Sequence, residues 1–265
     1  MRNRPSHFPF IVALLCTLLS SAMAQARDLV VYGEPTLESA LKSVGMLWQA
    51  RSGTRVNVFV APTNLSLAQI ERGARCDVIF AVPGAPTDEA ARRKIIHADT
   101  IVRVLRNSLV LVGAVPATAP STGIAPSDLA RLIAGRKLAI ADPERDPAGA
   151  RAFDLLRAIG ITVDDTNKMI AVAESSAGVI DMLTSSKAEL GIVHATDAIG
   201  FKTTTPMPQQ APIDYVVAQA RDPALDTKPF LAFLNAPEAK AAFRSAGLML
   251  IGDHGTADAG GGRQQ

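Results

Sequence analysis

Short β-branched runs alternate with segments of helical period along most of this 265-residue chain. That alternation restricts it to α/β architecture with largely parallel sheets. The first pair is Leu29-Val30-Val31-Tyr32 followed by Leu37, Ala40, Leu41, Val44, Leu47 and Trp48, whose spacing marks one face of a helix. The pattern continues as a strand over Val56 to Val60, a helix over Leu65 to Gly73, a strand over Asp77 to Val82 and a helix over Thr87 to Ile95.

At Asn107 the pattern changes to the long apolar strand Ser108 to Gly113, and a breaker-rich stretch from Ala114 to Gly123 follows. This reads as the chain crossing from one lobe to another. A second α/β set comes next: helix Ser127 to Ala134, strand Lys137 to Ala141, helix Ala148 to Ile159, strand Met169 to Ala173, helix Ala177 to Ser185 and strand Leu190 to Val193. Pro206 to Pro212 then leads into a strand at Ile213 to Ala218, read as the crossing back. A final helix over Lys228 to Ala246 places Phe230, Phe233, Leu234, Ala242 and Phe243 on one face and is expected to dock on the first lobe. The expected division is residues 27–108 plus 213–252 for lobe one, 109–212 for lobe two, and a Gly-rich polar tail over 253–265 that lacks the apolar surface to order itself.

Arg2 and Arg4, an uncharged apolar run from Phe8 to Leu19, and small residues ending in Ala24-Gln25-Ala26 make a secretory signal peptide, with cleavage expected after Ala26. The apolar run is shorter than the roughly 20 residues a membrane-spanning helix needs. Cleavage leaves 25 basic and 25 acidic residues, a balance that argues against nucleic acid, which is held through clustered basic side chains. It also leaves Cys76 as the one cysteine, so neither an intrachain disulfide nor a cysteine metal cluster is open to the mature chain. Its histidines, His97, His194 and His254, are far apart in sequence, and no metal ligands are expected.

Several strand-to-helix junctions carry small or hydroxyl residues: Thr36 before Leu37, Thr63-Asn64 before Leu65, Ala148-Gly149 after Pro147, and Ser175-Ser176 before Gly178. The first N–H groups of a helix lack internal partners and the macrodipole adds positive potential there, so each junction can cradle an anion. Residues of these types more often simply cap their own helix. Their coincidence at the carboxyl ends of strands in two α/β sets, where ligands of open sheets sit, favours a site.

At these residues the chain resembles the molybdate-binding proteins of ABC importers. The likeness is carried by Thr36-Leu37-Glu38-Ser39-Ala40-Leu41, by Leu67 to Ala74 with Cys76-Asp77-Val78-Ile79, and by Asn107-Ser108-Leu109-Val110. In the second half it rests on Leu138 to Glu144 leading into Pro147-Ala148-Gly149, and on Leu190 to His194 followed by Asp197-Ala198. The run Asp-Pro-Glu, three residues, Ala-Gly is its most specific element, and the likeness spans Leu29 to Leu250. It implies a two-lobed periplasmic-binding-protein fold of type II, an α/β fold in which each lobe is a mixed sheet flanked by helices. It also implies hinge closure on molybdate or tungstate, delivery to an ABC permease of the inner membrane, a periplasmic monomer, and no cofactor.

The family holds a tetrahedral dianion with neutral donors alone. The resemblance therefore implies Thr36 and Thr63 as the two hydroxyls of the first lobe, the backbone N–H groups of Ala148 and Ser176 in the second, and His194 where the family has a tyrosine. An imidazole donates when neutral and adds positive charge when protonated near pH 6.5, so affinity is expected to depend on pH. Glu34, two residues before Thr36, stands where the family has small residues. It is expected to point aside into solvent, as charged residues usually do; facing the ligand, it would repel a dianion but accept a proton from a partly protonated anion such as hydrogen phosphate. A sulfate- or phosphate-like ligand is the alternative. A hydrolase using His194, Asp197 and Ser175 or Ser176 is the remote one, since no Gly-x-Ser-x-Gly elbow is present.

Overall fold

The computed structural model describes residues 27–113, 124–163, 167–201, 203–207 and 213–252. The signal peptide, the stretch from Ala114 to Gly123, most of Pro206 to Pro212 and the tail with His254 therefore lie outside the described residues.

The elements in chain order are β1 (Leu29–Gly33), α1 (Glu38–Ser52), β2 (Val56–Val60), α2 (Thr63–Glu71), β3 (Val78–Ala81), α3 (Ala85–Arg92), β4 (Val102–Asn107) and β5 (Leu109–Gly113). They continue with α4 (Pro126–Ile133), β6 (Leu138–Ala141), α5 (Pro147–Ala158), β7 (Ile170–Ala173), α6 (Ser176–Thr184) and β8 (Leu190–His194). The chain ends in β9 (Thr204–Pro206), β10 (Ile213–Gln219), α7 (Thr227–Phe233), α8 (Pro237–Ser245) and β11 (Met249–Leu250). Two mixed sheets result, ordered β11-β4-β10-β3-β1-β2 and β7-β6-β8-β5-β9. This is the two-lobed α/β fold that the resemblance implies; the largely parallel sheets expected from the alternation are instead mixed, because β4, β5 and β10 run antiparallel to their neighbours.

β1 reads as a continuous apolar run because helices cover both faces of its sheet. Leu29 and Val31 pack with Leu41, Trp48, Phe80, Phe230 and Phe243 on one side. Val30 and Tyr32 pack with Leu67, Ile70, Ile79 and Val216 on the other. The second sheet is covered likewise, by Leu155 and Leu156 of α5 over Leu138, Ile140 and Ile192 on one face and by Val179 of α6 over Ala139, Ala141 and Val193 on the other. The inner parallel strands β1, β3, β6 and β8 are buried on both sides, so their polar backbone is satisfied in the ladder and their functional groups emerge at strand ends.

Two readings need correction. The final helix is two helices, because Pro237 has no N–H for an i→i−4 bond and its ring clashes with the preceding turn; it instead occupies the first turn of α8. Its aromatic face still docks on the first sheet, with the Phe230 and Phe233 rings 5.7 Å and 5.4 Å from that of Trp48. The strand taken to start at Ser108 is preceded by β4, which pairs with β10 in the first sheet while β5 pairs with β8 in the second. Ser108 alone separates them. Arg103 and Arg106 hid β4 from a hydrophobic reading, since both turn outward to Asp214 of β10.

Asp77, fully buried at the edge of β3, ties the first lobe together. Its carboxylate accepts from Val30 N at 2.8 Å and Ala224 N at 2.7 Å and pairs with Arg27 at 3.1 Å. A buried charge survives only when satisfied in this way.

Candidate anion site in the cleft

The cleft is assembled from the ends of β1, β2, β4, β6, β8 and β10. After Gly33 closes β1, Glu34 and Pro35 turn the chain so that Thr36 faces β10. Its Oγ1 lies 2.9 Å from the Tyr215 hydroxyl. Tyr215 is buried on β10, and burial pushes its pKa up to about 12 against the opposing hydrogen bonds of Thr36 and Asn107, so it stays a neutral donor. Asn107, buried at the end of β4, donates from Nδ2 to Thr196 Oγ1 at 3.1 Å and accepts Ser108 N at 3.0 Å.

Glu34 is buried, not solvated, which corrects the expectation from exposure. Its Oε1 accepts from Thr63 N, the first residue of α2, at 2.6 Å, and from the Thr63 hydroxyl. That hydroxyl in turn accepts Val82 N at 2.9 Å. Thr63 is thus fully engaged by the protein, and the helix start drew Glu34 inward. Burial raises the pKa of Glu34, opposed by the Thr63 bonds and by His194.

In the second lobe the start of α5 is capped by Asp146, with Pro147 at the first helical position. One oxygen of Asp146 accepts Ala148 N at 2.8 Å and Gly149 N at 3.4 Å; the other accepts Ser176 N, the first residue of α6, at 2.8 Å. A single carboxylate therefore bridges two helix N-termini. Gly149 permits this, because a Cβ there would come within 2.4 Å of Ala141 O at the end of β6. Burial drives the Asp146 pKa upward, yet His194 and the Ser176 and Ala148 amides outweigh it and hold the carboxyl at about 2.

His194 ends β8 fully buried, with Nε2 3.7 Å from Asp146 Oδ1, beyond hydrogen-bond reach. Asp197 follows one turn later, its N donating to His194 O at 3.0 Å. Burial raises the pKa of Asp197 and the Asp146 charge adds to this, against His194 and the Ser176 hydroxyl. Among the described residues, six buried side-chain atoms lack a hydrogen-bond partner, and four belong to this cluster: Ser176 Oγ, His194 Nδ1 and Nε2, and Asp197 Oδ2.

The structure thus gathers Thr36, Thr63, Ala148, Ser176 and His194 around one cleft, but with the Ala148, Ser176 and Thr63 amides already bound to carboxylates. Asp146 escaped the sequence reading, although an Asp directly before Pro-Ala-Gly is a cap signal. Tyr215 and Asn107 carried none. The Ser–His–Asp arrangement is not formed: Ser175 Oγ instead accepts Gly178 N at 3.3 Å, capping its own helix, and neither His194 nitrogen is bonded.

A family model described as bacterial extracellular solute-binding protein matches residues 29–249. The molybdate-binding protein ModA of Escherichia coli (strain K12) is 27% identical over 245 residues, covering 90% of this chain and 95% of the relative. The molybdate-binding protein ModA of Rhodobacter capsulatus is 23% identical over 256 residues, covering 92% and 99%. Among solved structures, the Azotobacter vinelandii periplasmic molybdate-binding protein superposes with a TM-score of 0.66 at 21% identity, over 84% of this chain and 99% of that one. The tungstate-binding protein TupA of Desulfovibrio alaskensis G20 gives 0.62 at 11% identity, over 82% and 94%. At such identities the two structures speak for the fold.

Proposed function

Because the chain belongs to the bacterial extracellular solute-binding protein family, we propose that it is the periplasmic binding component of an ABC importer, capturing a tetrahedral oxyanion of the molybdate and tungstate kind. The observation that carries this reading is the Asp146 carboxylate, itself an oxyanion, held by the amides of two helix starts in the cleft. Those amides aim positive potential at one point, which is the general means by which proteins bind oxyanions without cations. Thr36, Thr63, Ala148, Ser176 and His194 are the proposed ligand-binding residues, with Thr63 and Ala148 positioning the carboxylates that frame the ligand. Ser176 Oγ and one ring N–H of His194 supply donors without a hydrogen-bond partner among the described residues.

The proposed lobes are 27–108 plus 213–252 and 109–212, closing about the two crossings near Asn107 to Val112 and Ile213 to Ala218. Export through the signal peptide cleaved after Ala26 is part of the same proposal, as are a monomeric state and a permease partner. Among the described residues no helix is long and apolar enough to cross a membrane. Calorimetric titration of anion-stripped mature protein with molybdate, tungstate, sulfate and phosphate tests the reading. Saturable binding of one anion per chain is expected, and failure of all four to bind would refute it.

A further inference from the structure

In the cleft the donors expected to receive an anion and the acceptors that repel one are interleaved. Asp146 is fixed by three amides and ionised, so half the cradle already carries a full negative charge. Glu34 and Asp197 add two more buried carboxyl groups. The groups facing Glu34 are Thr63 from the start of α2, His194 from the end of β8 and Tyr215 from β10. Asp146 and Asp197 face the same His194 from the start of α5 and the turn after β8. No lysine or arginine figures among the groups that act on Glu34, Asp146 or Asp197. His194 is therefore the one side chain of the cluster able to supply positive charge.

A bare dianion entering such a cleft would meet carboxyl groups whose one possible cationic neighbour is His194, where poor solvation makes repulsion costly. Ser176 Oγ and an N–H of His194 want an acceptor and Asp197 Oδ2 wants a donor; the Ser176 hydroxyl already acts on the Asp197 carboxyl and lowers its pKa, so it is shared between that carboxyl and a ligand. Glu34 Oε1 is spent on Thr63, and its second oxygen accepts no hydrogen bond among the described residues. Among the described residues no three His, Cys, Asp or Glu side chains are placed together to hold one metal ion.

Resting on the oxyanion reading above, we infer that this cleft selects an oxyanion that keeps an O–H. The hydroxyl donates to the Glu34 carboxylate while the remaining oxygens accept from Ser176 and His194. Glu34 is then the residue that sets specificity. The proton has two possible sources. Phosphate or arsenate brings it from solution, whereas molybdate or tungstate, fully deprotonated near neutral pH, must take it up on binding.

Titration of anion-stripped mature protein in two buffers of different ionisation enthalpy, at several values between about pH 6 and 8, counts the protons bound with each anion. One supporting result is that phosphate or arsenate binds without proton uptake and more tightly than sulfate. The other is that molybdate or tungstate binds with uptake of one proton, its affinity falling about tenfold per pH unit. In either case Glu34→Gln, checked for folding by its thermal transition, should abolish the preference or the uptake, and His194→Gln should retain it. If Glu34→Gln does not fold, Glu34→Asp, which keeps the charge but withdraws it, is expected to weaken the preference at least tenfold. Binding of molybdate, tungstate or sulfate at least as tightly as phosphate and arsenate, with no proton uptake and no pH dependence, overturns the inference while leaving the oxyanion function standing. Uptake that persists in Glu34→Gln but vanishes in His194→Gln overturns the role of Glu34. Binding of no oxyanion at all removes the parent reading.

Discussion

Replacing Asp146 by Ala separates the structural and the binding roles of the cleft, because the two should move in opposite directions. The substitution removes the N-cap of α5, worth about 1 kcal/mol. It also leaves the Ser176 amide, which now donates at 2.8 Å from a nearly buried residue, without a partner, at a cost of roughly 1–3 kcal/mol. A loss of about 2–4 kcal/mol follows, which for a chain of this size lowers Tm by roughly 4–16 °C. The same change vacates the amides of Ala148, Gly149 and Ser176 and deletes the fixed negative charge beside His194. Oxyanion affinity should therefore rise, and an anion at a hundred times its Kd should restore about 2.7 kcal/mol. Thermal melts of wild type and variant, with and without molybdate and sulfate, read both effects. A variant as stable as wild type that gains no stabilisation from either anion would show that the carboxylate is not occupying an anion cradle.

Further predictions follow from the same geometry. The Asp146 pKa lies below its unfolded value, so its contribution of about 2 kcal/mol is present above about pH 4 and lost as pH falls toward 2; acid denaturation of Asp146→Ala should lack this component. His194→Phe removes a buried donor and is expected to weaken oxyanion binding at least about tenfold, measured by calorimetry; unchanged affinity from pH 5.5 to 8 would exclude His194 from the ligand. Asp77→Ala orphans the Val30 and Ala224 amides and should cost roughly 2–5 kcal/mol, visible in urea melts. Phe230→Ala, emptying a site 1% exposed against Trp48, should cost about 3–5 kcal/mol without altering anion affinity.

What the sequence reveals and conceals here has a physical pattern. Elements with a strong period were legible: β1 and the run from α5 to β8 lie within a residue or two of their expected bounds and α1 begins where expected, because burial on one or both faces dictates their composition. β4 was not, since its outward arginines are balanced by a cross-strand Asp214 that no local window contains. The break at Pro237 was written in the sequence, but a continuous apolar face on either side of it masked the signal. At the site, hydroxyls and helix starts could be found from caps and junctions. The carboxylates could not be placed, because whether Glu34 faces solvent or Thr63 depends on where β1 delivers it beside α2. Asp146 likewise looks like a cap for one helix until the start of the second comes to rest against it.

The single residue between β4 and β5 has a mechanical meaning. If the lobes close as proposed, two sheets that share so short a covalent link would behave as a pair of plates on a pin: rotation about the Ser108 backbone would carry each plate rigidly, with little slack to absorb it. Atoms near the pin then travel little while those at the far rims sweep widely. Asn107, whose side chain reaches Thr196 across that pin, would act as a stop setting how far the plates can turn, so the fit of the cleft around its ligand is fixed at the hinge as much as by the groups that touch it.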